Sequence, residues 1–220
     1  MSGQGEGVFF MATLEWQSLR RIYDRSGAAN ALPWHRNEPT TLLPEIIKAR
    51  GEPGRALDIG CGSGVDSVFL AQNGWDVTSL DFMPDALKMA GDRARQAGVE
   101  LTTVQADALE WDAPADAFDL IVDIGCLHSK TGAARRIYRD KIISMLKKGG
   151  DYLLLHFERR HLLDWRPIGP RRRTRAQVLA LFVPPLVEKQ YVRRVRTPTR
   201  GSNILMGSRF SSISYWFRYE

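Results

Sequence analysis

The segment Leu57-Asp58-Ile59-Gly60-Cys61-Gly62-Ser63-Gly64 constrains this chain more than any other. Three glycines at alternate positions let the main chain turn sharply and let a ligand approach with no Cβ in the way. They stand between Arg55 to Ile59, which reads as a strand, and Val65 to Gln72, which reads as a helix burying Val65, Val68 and Phe69. A strand that passes into a helix through such a turn is where an α/β sheet opens a crevice for a nucleotide-like ligand. The spacing is G-x-G-x-G, whereas a dinucleotide site wants G-x-G-x-x-G, so a pyrophosphate ligand is the weaker reading. Asp58 would repel a phosphate, but it can accept from an ammonium group or organise the loop amides.

After the turn, short apolar runs alternate with helix-like stretches, the pattern of a mainly parallel sheet covered on both faces. Asp76 to Leu80, Glu100 to Gln105, Phe118 to Ile124 and Tyr152 to Phe157 read as strands. Pro84 suits a first helical turn, Ala86, Ala90, Ala94 and Ala97 make a small face for close packing, and Gly98 stops the helix. A further helix carries Ile137, Tyr138, Ile142, Met145 and Leu146 and is expected to end on Lys147, Lys148 and Gly149, cations at its negative end and then a glycine. Thr174 to Phe182 reads as a helix, and Val187 to Val195 with Ser211 to Tyr219 as an antiparallel pair. The expected fold is α/β: about seven strands, mostly parallel, with an antiparallel C-terminal pair.

A length of 220 residues suits one enlarged domain, with 1–45 as an N-terminal lid, 55–157 as the binding core and 158–220 as a basic connection and the last strands. No apolar run is long enough to span a bilayer, so no membrane partner is expected. Cys61 and Cys126 are too few for a disulfide framework or a cysteine zinc site, which suits the cytoplasm and no metal. The net charge of +6 is local: residues 159–200 hold twelve Arg/Lys against Asp164 and Glu188. That segment fits an anionic substrate, nucleic acid or a solvated surface.

Asp81 ends the second strand, where a carboxylate can accept both hydroxyls of a ribose. Asp107 follows the third strand and can accept from an exocyclic amine, with the Ala108 amide beside it for an adenine ring. A glycine turn and three acids outline a ligand with an amine, a ribose and an adenine. These motifs, in this order, resemble the class I S-adenosylmethionine-dependent methyltransferases. Ala56 to Gly64 looks like their first motif, Leu80-Asp81-Phe82 their ribose motif, Gln105-Ala106-Asp107-Ala108 their adenine motif, and Phe118 to Asp123 their fourth strand. Gly60 to Asp66 with Leu70-Ala71 and Gly74 to Val77 is most similar to the branch with thiopurine, small-thiol, halide and tellurite methyltransferases, and Leu32-Pro33-Trp34 to the element that closes over the cofactor there.

The resemblance implies a Rossmann-like methyltransferase that uses S-adenosyl-L-methionine and releases S-adenosyl-L-homocysteine. It assigns Trp34, Asp58, Gly60, Gly62, Gly64, Asp81, Phe82, Asp107, Ala108 and Asp123 to the cofactor. Methyl transfer is an in-line displacement, so positioning the acceptor and excluding water are the main tasks. A thiolate needs no base, whereas an amine or phenol can need one. His128, beyond the fourth strand, is the candidate base or orienting group because an ordinary imidazole titrates near working pH; a structural histidine is the alternative. Trp16, Tyr23, His156 and Arg172 are the candidate substrate contacts. The expected activity is methylation of a small molecule, a thiol or other soft nucleophile first, with an N- or O-acceptor on a small heterocycle as the alternative. Nucleic acid ranks below both, since no Asn/Asp-Pro-Pro-Tyr-like motif follows the fourth strand. A monomer or homodimer is expected.

Overall fold

The computed structural model describes residues 14–26, 29–32, 34–158, 171–196 and 210–220. Seven strands form one sheet: β1 (Arg55–Ile59), β2 (Asp76–Asp81), β3 (Thr102–Gln105), β4 (Phe118–Ile124), β5 (Leu146–Phe157), β6 (Leu186–Arg196) and β7 (Phe210–Tyr219). Six helices accompany them: α1 (Leu14–Ser26), α2 (Leu43–Arg50), α3 (Val65–Gln72), α4 (Pro84–Ala97), α5 (Gly132–Met145) and α6 (Arg175–Phe182). The strand order is β3-β2-β1-β4-β5-β7-β6. The first five strands are parallel, and β7 runs antiparallel to both β5 and β6.

Side chains of a strand alternate between faces, and each face has its own core. Leu57 and Ile59 of β1 join Tyr138, Ile142 and Met145 of α5 and Val178 and Phe182 of α6 on one side. Ala56 joins Leu43 and Ile46 of α2 and Leu70 of α3 on the other. The helix ends follow local rules. Gly98 takes φ 69° and returns its amide to the carbonyls of Ala94 and Arg95, and Thr174 with Gln177 forms a capping box at the start of α6. Gly64 begins α3 at φ 73°, and a Cβ there would lie 2.7 Å from that of Ala90, so the small face of α4 sits directly against the turn.

One boundary departs from the sequence expectation. Helix α5 stops at Met145, and Lys147, Lys148 and Gly149 belong to β5 instead of capping the helix. Leu146 pairs with Phe118, and the register shifts before Leu120 meets Asp151, so strand pairing overrides the local stop signal. Strand β3 also starts later than expected, at Thr102. Among the described residues no helix is long and apolar enough to cross a membrane.

At the amino edge of the sheet, the fully buried Asp151 accepts from Arg50 at 2.7 Å, from Arg218 at 2.9 and 3.0 Å and from the Trp216 indole at 2.7 Å. This one carboxylate ties α2 to β5 and β7. Asp151→Ala strands two guanidiniums and an indole, and we expect it to cost about 3 kcal/mol. The measurement is a urea unfolding midpoint, which should fall clearly; an unshifted midpoint would show that the cluster holds nothing together.

Candidate functional site

The strand order reverses between β1 and β4, and the glycine turn lies at the carboxyl end of β1 beside that reversal. The Leu80 carbonyl accepts from the amides of Gly60 and Cys61, at 2.7 and 3.1 Å. The next residue, Asp81, takes the Gly62 amide at 3.0 Å on one oxygen and the Met83 amide at 2.9 Å on the other. The end of β2 therefore grips the turn. Gly60, Gly62 and Gly64 all have positive φ, and a Cβ on Gly60 would fall 2.3 Å from the Cys126 sulfur. No side chain fits at Gly60, which explains a glycine there independently of any ligand.

Burial pushes the Asp81 carboxyl up to about 6 against the pull of its amide donors. Asp58 is buried under the same turn, accepting from the Ser67 hydroxyl at 2.6 Å, which in turn accepts from Ser79 at 2.9 Å. Burial, and then the negative charge of Asp66, raise Asp58 to about 7. Asp107 accepts from the Leu109 amide at 2.7 Å in the turn after β3, next to Ala108. Phe82 packs with the cluster formed by Tyr23, Leu32, Met83 and Ala86.

The N-terminal segment reaches this place. The Trp34 indole nitrogen lies 3.9 Å from where a Gly62 Cβ would stand, and its ring meets that of the buried Tyr23 edge-on at 5.8 Å. Tyr23 packs with Phe82 and Met83 just beyond β2, and burial, then the charges of Asp81 and Cys61, raise its phenol. Asp66, fully buried at the start of α3, holds the segment from below: it accepts from the Arg36 guanidinium and from the Thr40 amide and hydroxyl, both at 2.8 Å. The sequence reading passed over this clamp, although Asp66 directly follows the turn. Trp16 lies on α1, and its side chain is outside the described residues.

A second group gathers beyond β4 and β5. Asp123 is fully buried and accepts from Tyr138 at 2.8 Å, Tyr152 at 3.0 Å and the Cys126 amide at 2.8 Å. Its oxygens thus serve the core and the turn after β4. His128 packs over Gly125, whose Cβ would lie 2.8 Å from the ring, and meets Phe157 at 5.3 Å and His156 at 6.2 Å between centroids. His156 is 1% exposed, and among the described residues neither of its nitrogens has a partner; the same is true of the His128 Nδ1. Burial, then the cations Lys130 and Arg173, lower His128 to about 4, and burial, then His128 and Arg173, lower His156 to about 3. Both imidazoles are neutral at pH 7. The sequence expectation for His128 used an ordinary imidazole, whereas burial and then the neighbouring cations lower it here. Arg172 is half-buried in the stretch leading into α6. The structure thus brings Trp34, Tyr23, Asp58, Asp81 and the glycines to one side of the carboxyl edge, and His128 and His156 to the other.

A family model described as a methyltransferase domain matches residues 56–150. The chain is 28% identical over 151 residues to a probable thiol methyltransferase of Arabidopsis thaliana, which covers 67% of this chain and 65% of the relative. It is 27% identical over 128 residues to a 2-heptyl-1-hydroxyquinolin-4(1H)-one methyltransferase of Mycobacteroides abscessus, covering 58% of this chain and 56% of the relative. The chain therefore spans less than two thirds of the length of these curated relatives. An N-methyltransferase of Bradyrhizobium japonicum, solved with S-adenosyl-L-homocysteine, has the same fold at TM-score 0.69 and 23% identity, over 92% of this chain and 97% of that one. Residues 56–150 thus match a methyltransferase domain, and with the glycine turn, the acid that grips it and the seven-stranded order the chain has the fold of the class I S-adenosylmethionine-dependent methyltransferases.

Proposed function

We propose that this protein transfers a methyl group from S-adenosyl-L-methionine to a small-molecule acceptor, a thiol or other soft nucleophile first. The observation that carries the reading is the grip of Asp81 on the Gly62 amide beneath Trp34, at the strand reversal. The residues fit the cofactor: a turn free of side chains, a carboxylate at the end of β2 for the ribose, and Asp107 with Ala108 for the adenine edge. Asp58 lies under the turn, and Tyr23 and Trp34 supply aromatic cover, which favours a nearby cation. When bound, S-adenosyl-L-methionine supplies an electrophilic methyl group on a sulfonium.

The chain's own residues then have three tasks. Trp34 and Tyr23 exclude water on the cofactor side. His128 and Phe157 form the wall on the acceptor side, with the buried His156 behind them. Neutral imidazoles with depressed basicity orient an acceptor better than they deprotonate one, which favours a nucleophile that arrives already ionised. The likeness to a thiol methyltransferase supports this choice. The likeness to a hydroxyquinolinone methyltransferase supports the alternative, a small heterocycle methylated on oxygen or nitrogen. Turnover of labelled S-adenosyl-L-methionine with thiols, halides, azaheterocycles, phenols and RNA separates these acceptors, and transfer to RNA alone would overturn the small-molecule reading.

The raised Asp81 gives a pH dependence with a definite sign. Its ionised form accepts from ribose hydroxyls, and the carboxyl gains a proton as pH falls through about 6. Calorimetry should find affinity for S-adenosyl-L-homocysteine flat above that point and weakening by up to about tenfold per pH unit below it. Asp81→Asn should bind more weakly and lose the slope; a variant that keeps the slope assigns it to another group. For His128, whose value is near 4, the expectation is a change in rate without a change in profile. His128→Ala should lower kcat/KM on the best thiol by about tenfold to a hundredfold through lost positioning. The rate should still rise with ionisation of the thiol, and loss of an inflection near pH 6.5 in the variant would make His128 a base after all.

A further inference from the structure

The N-terminal ends of α5 and α6 both face the carboxyl edge of the sheet, and a groove between these helices is lined by Arg135, Arg136, Arg173, Gln177, Ala180 and Leu181. Its polar side chains offer mainly donors. Three are guanidiniums, which have no acceptor. The fourth, Gln177, spends its side-chain oxygen on the Thr174 amide at 3.0 Å, which leaves its NH2 to donate. Among the described residues no carboxylate pairs with Arg135, Arg136 or Arg173. Elsewhere on α5 and α6 cations do find acids, as Arg139 does with Asp140 and Arg175 with Glu188.

Arg173 links this groove to the acceptor side of the site. Its amide donates to the Phe157 carbonyl at the end of β5, at 3.1 Å, and its guanidinium donates to the Lys130 carbonyl at 2.9 Å. Among the described residues its buried Nε has no partner, and neither do the two nitrogens of the nearly inaccessible His156. Arg173 is also close enough to act on both imidazoles electrostatically. Unneutralised cations, an orphaned guanidinium N–H and two orphaned imidazoles thus share one region, and Ala180 with Leu181 add an apolar wall.

We infer that this groove is an anion subsite that takes the carboxylate of the methyl acceptor, so that the acceptor class is a small organic acid with an apolar body. A carboxylate has only acceptors to offer and two oxygens in a plane, which matches guanidinium forks and an amide NH2. Its charge offsets the repulsion among the arginines, and the rest of the acceptor extends from Arg173 toward His128 and Phe157, away from the last turn of α6. What the ligand does next rests on the methyltransferase reading; the preference for an anion does not.

The test uses the full chain, with and without S-adenosyl-L-homocysteine, and titrates benzoate against benzamide, a neutral probe of the same shape. Benzoate should bind at least about tenfold more tightly, and its advantage should shrink in 0.5 M salt. Arg173→Gln and, because Arg173 also braces the Lys130 carbonyl, the more peripheral Arg135→Gln should each narrow the ratio to below about threefold. By proton NMR, benzoate should move the titrations of His128 and His156 upward, and benzamide should leave them in place. Equal binding of the two probes, or a ratio that survives both variants, overturns the subsite. Failure of the methyltransferase reading shows separately, as absence of heat with S-adenosyl-L-homocysteine on the same samples.

Discussion

Everything at this site depends on how the end of β2 holds the turn after β1. The Leu80 carbonyl and the Asp81 carboxylate together take the amides of Gly60, Cys61 and Gly62. Those amides have no helix or ladder of their own, and buried unpaired donors would be costly. The neighbours then leave no freedom in side-chain size. The Cys126 sulfur presses on Gly60 from β4, and Ala90 presses on Gly64 from α4. The turn is therefore preformed, which lowers the ordering cost of binding a ligand there.

Apart from Asp123, which Tyr138 and Tyr152 hold in the core, and Glu158, which pairs with Arg193, the carboxyl edge is divided by charge. On the β1–β2 side lie Asp58, Asp66 and Asp81, each nearly inaccessible, with Arg36 as the balancing cation for Asp66. On the β4–β5 side, Arg173 and Lys130 face imidazoles that stay neutral. A cationic methyl donor and an anionic or electron-rich acceptor would each meet the sign that suits it, and the reacting atoms would lie between. Burial is the first reason why the acids keep raised values and the histidines lowered ones, and like charges add to it at Asp58, from Asp66, and at the two histidines, from Arg173.

Much of this was legible in the residues. The bounds of β1, α3 and β4 follow the apolar runs, since those elements are buried on both sides and leave no ambiguity in pattern. The end of α5 was not legible, because Lys147-Lys148-Gly149 is a good helix stop whose fate depends on pairing with Phe118, 28 residues earlier than Leu146 in the chain. Asp123 shows the same limit in the site. An aspartate at a strand end reads as a ligand contact, and only the approach of Tyr138 and Tyr152 gives it to the core. The lowered basicity of His128 was not legible either, since it comes from burial and then from Lys130 and from Arg173 far along the sequence.

The most direct test follows the tryptophan indoles by nitrogen–proton NMR as S-adenosyl-L-homocysteine is added to the ligand-free chain. Trp34 lies over the glycine turn, whereas Trp216 is bonded to Asp151 at the opposite edge and Trp75 directly precedes β2 there. The Trp34 resonance and the Gly62 amide should shift along one saturable curve while Trp75 and Trp216 stay fixed. A titration that leaves Trp34 and Gly62 unmoved would contradict the account.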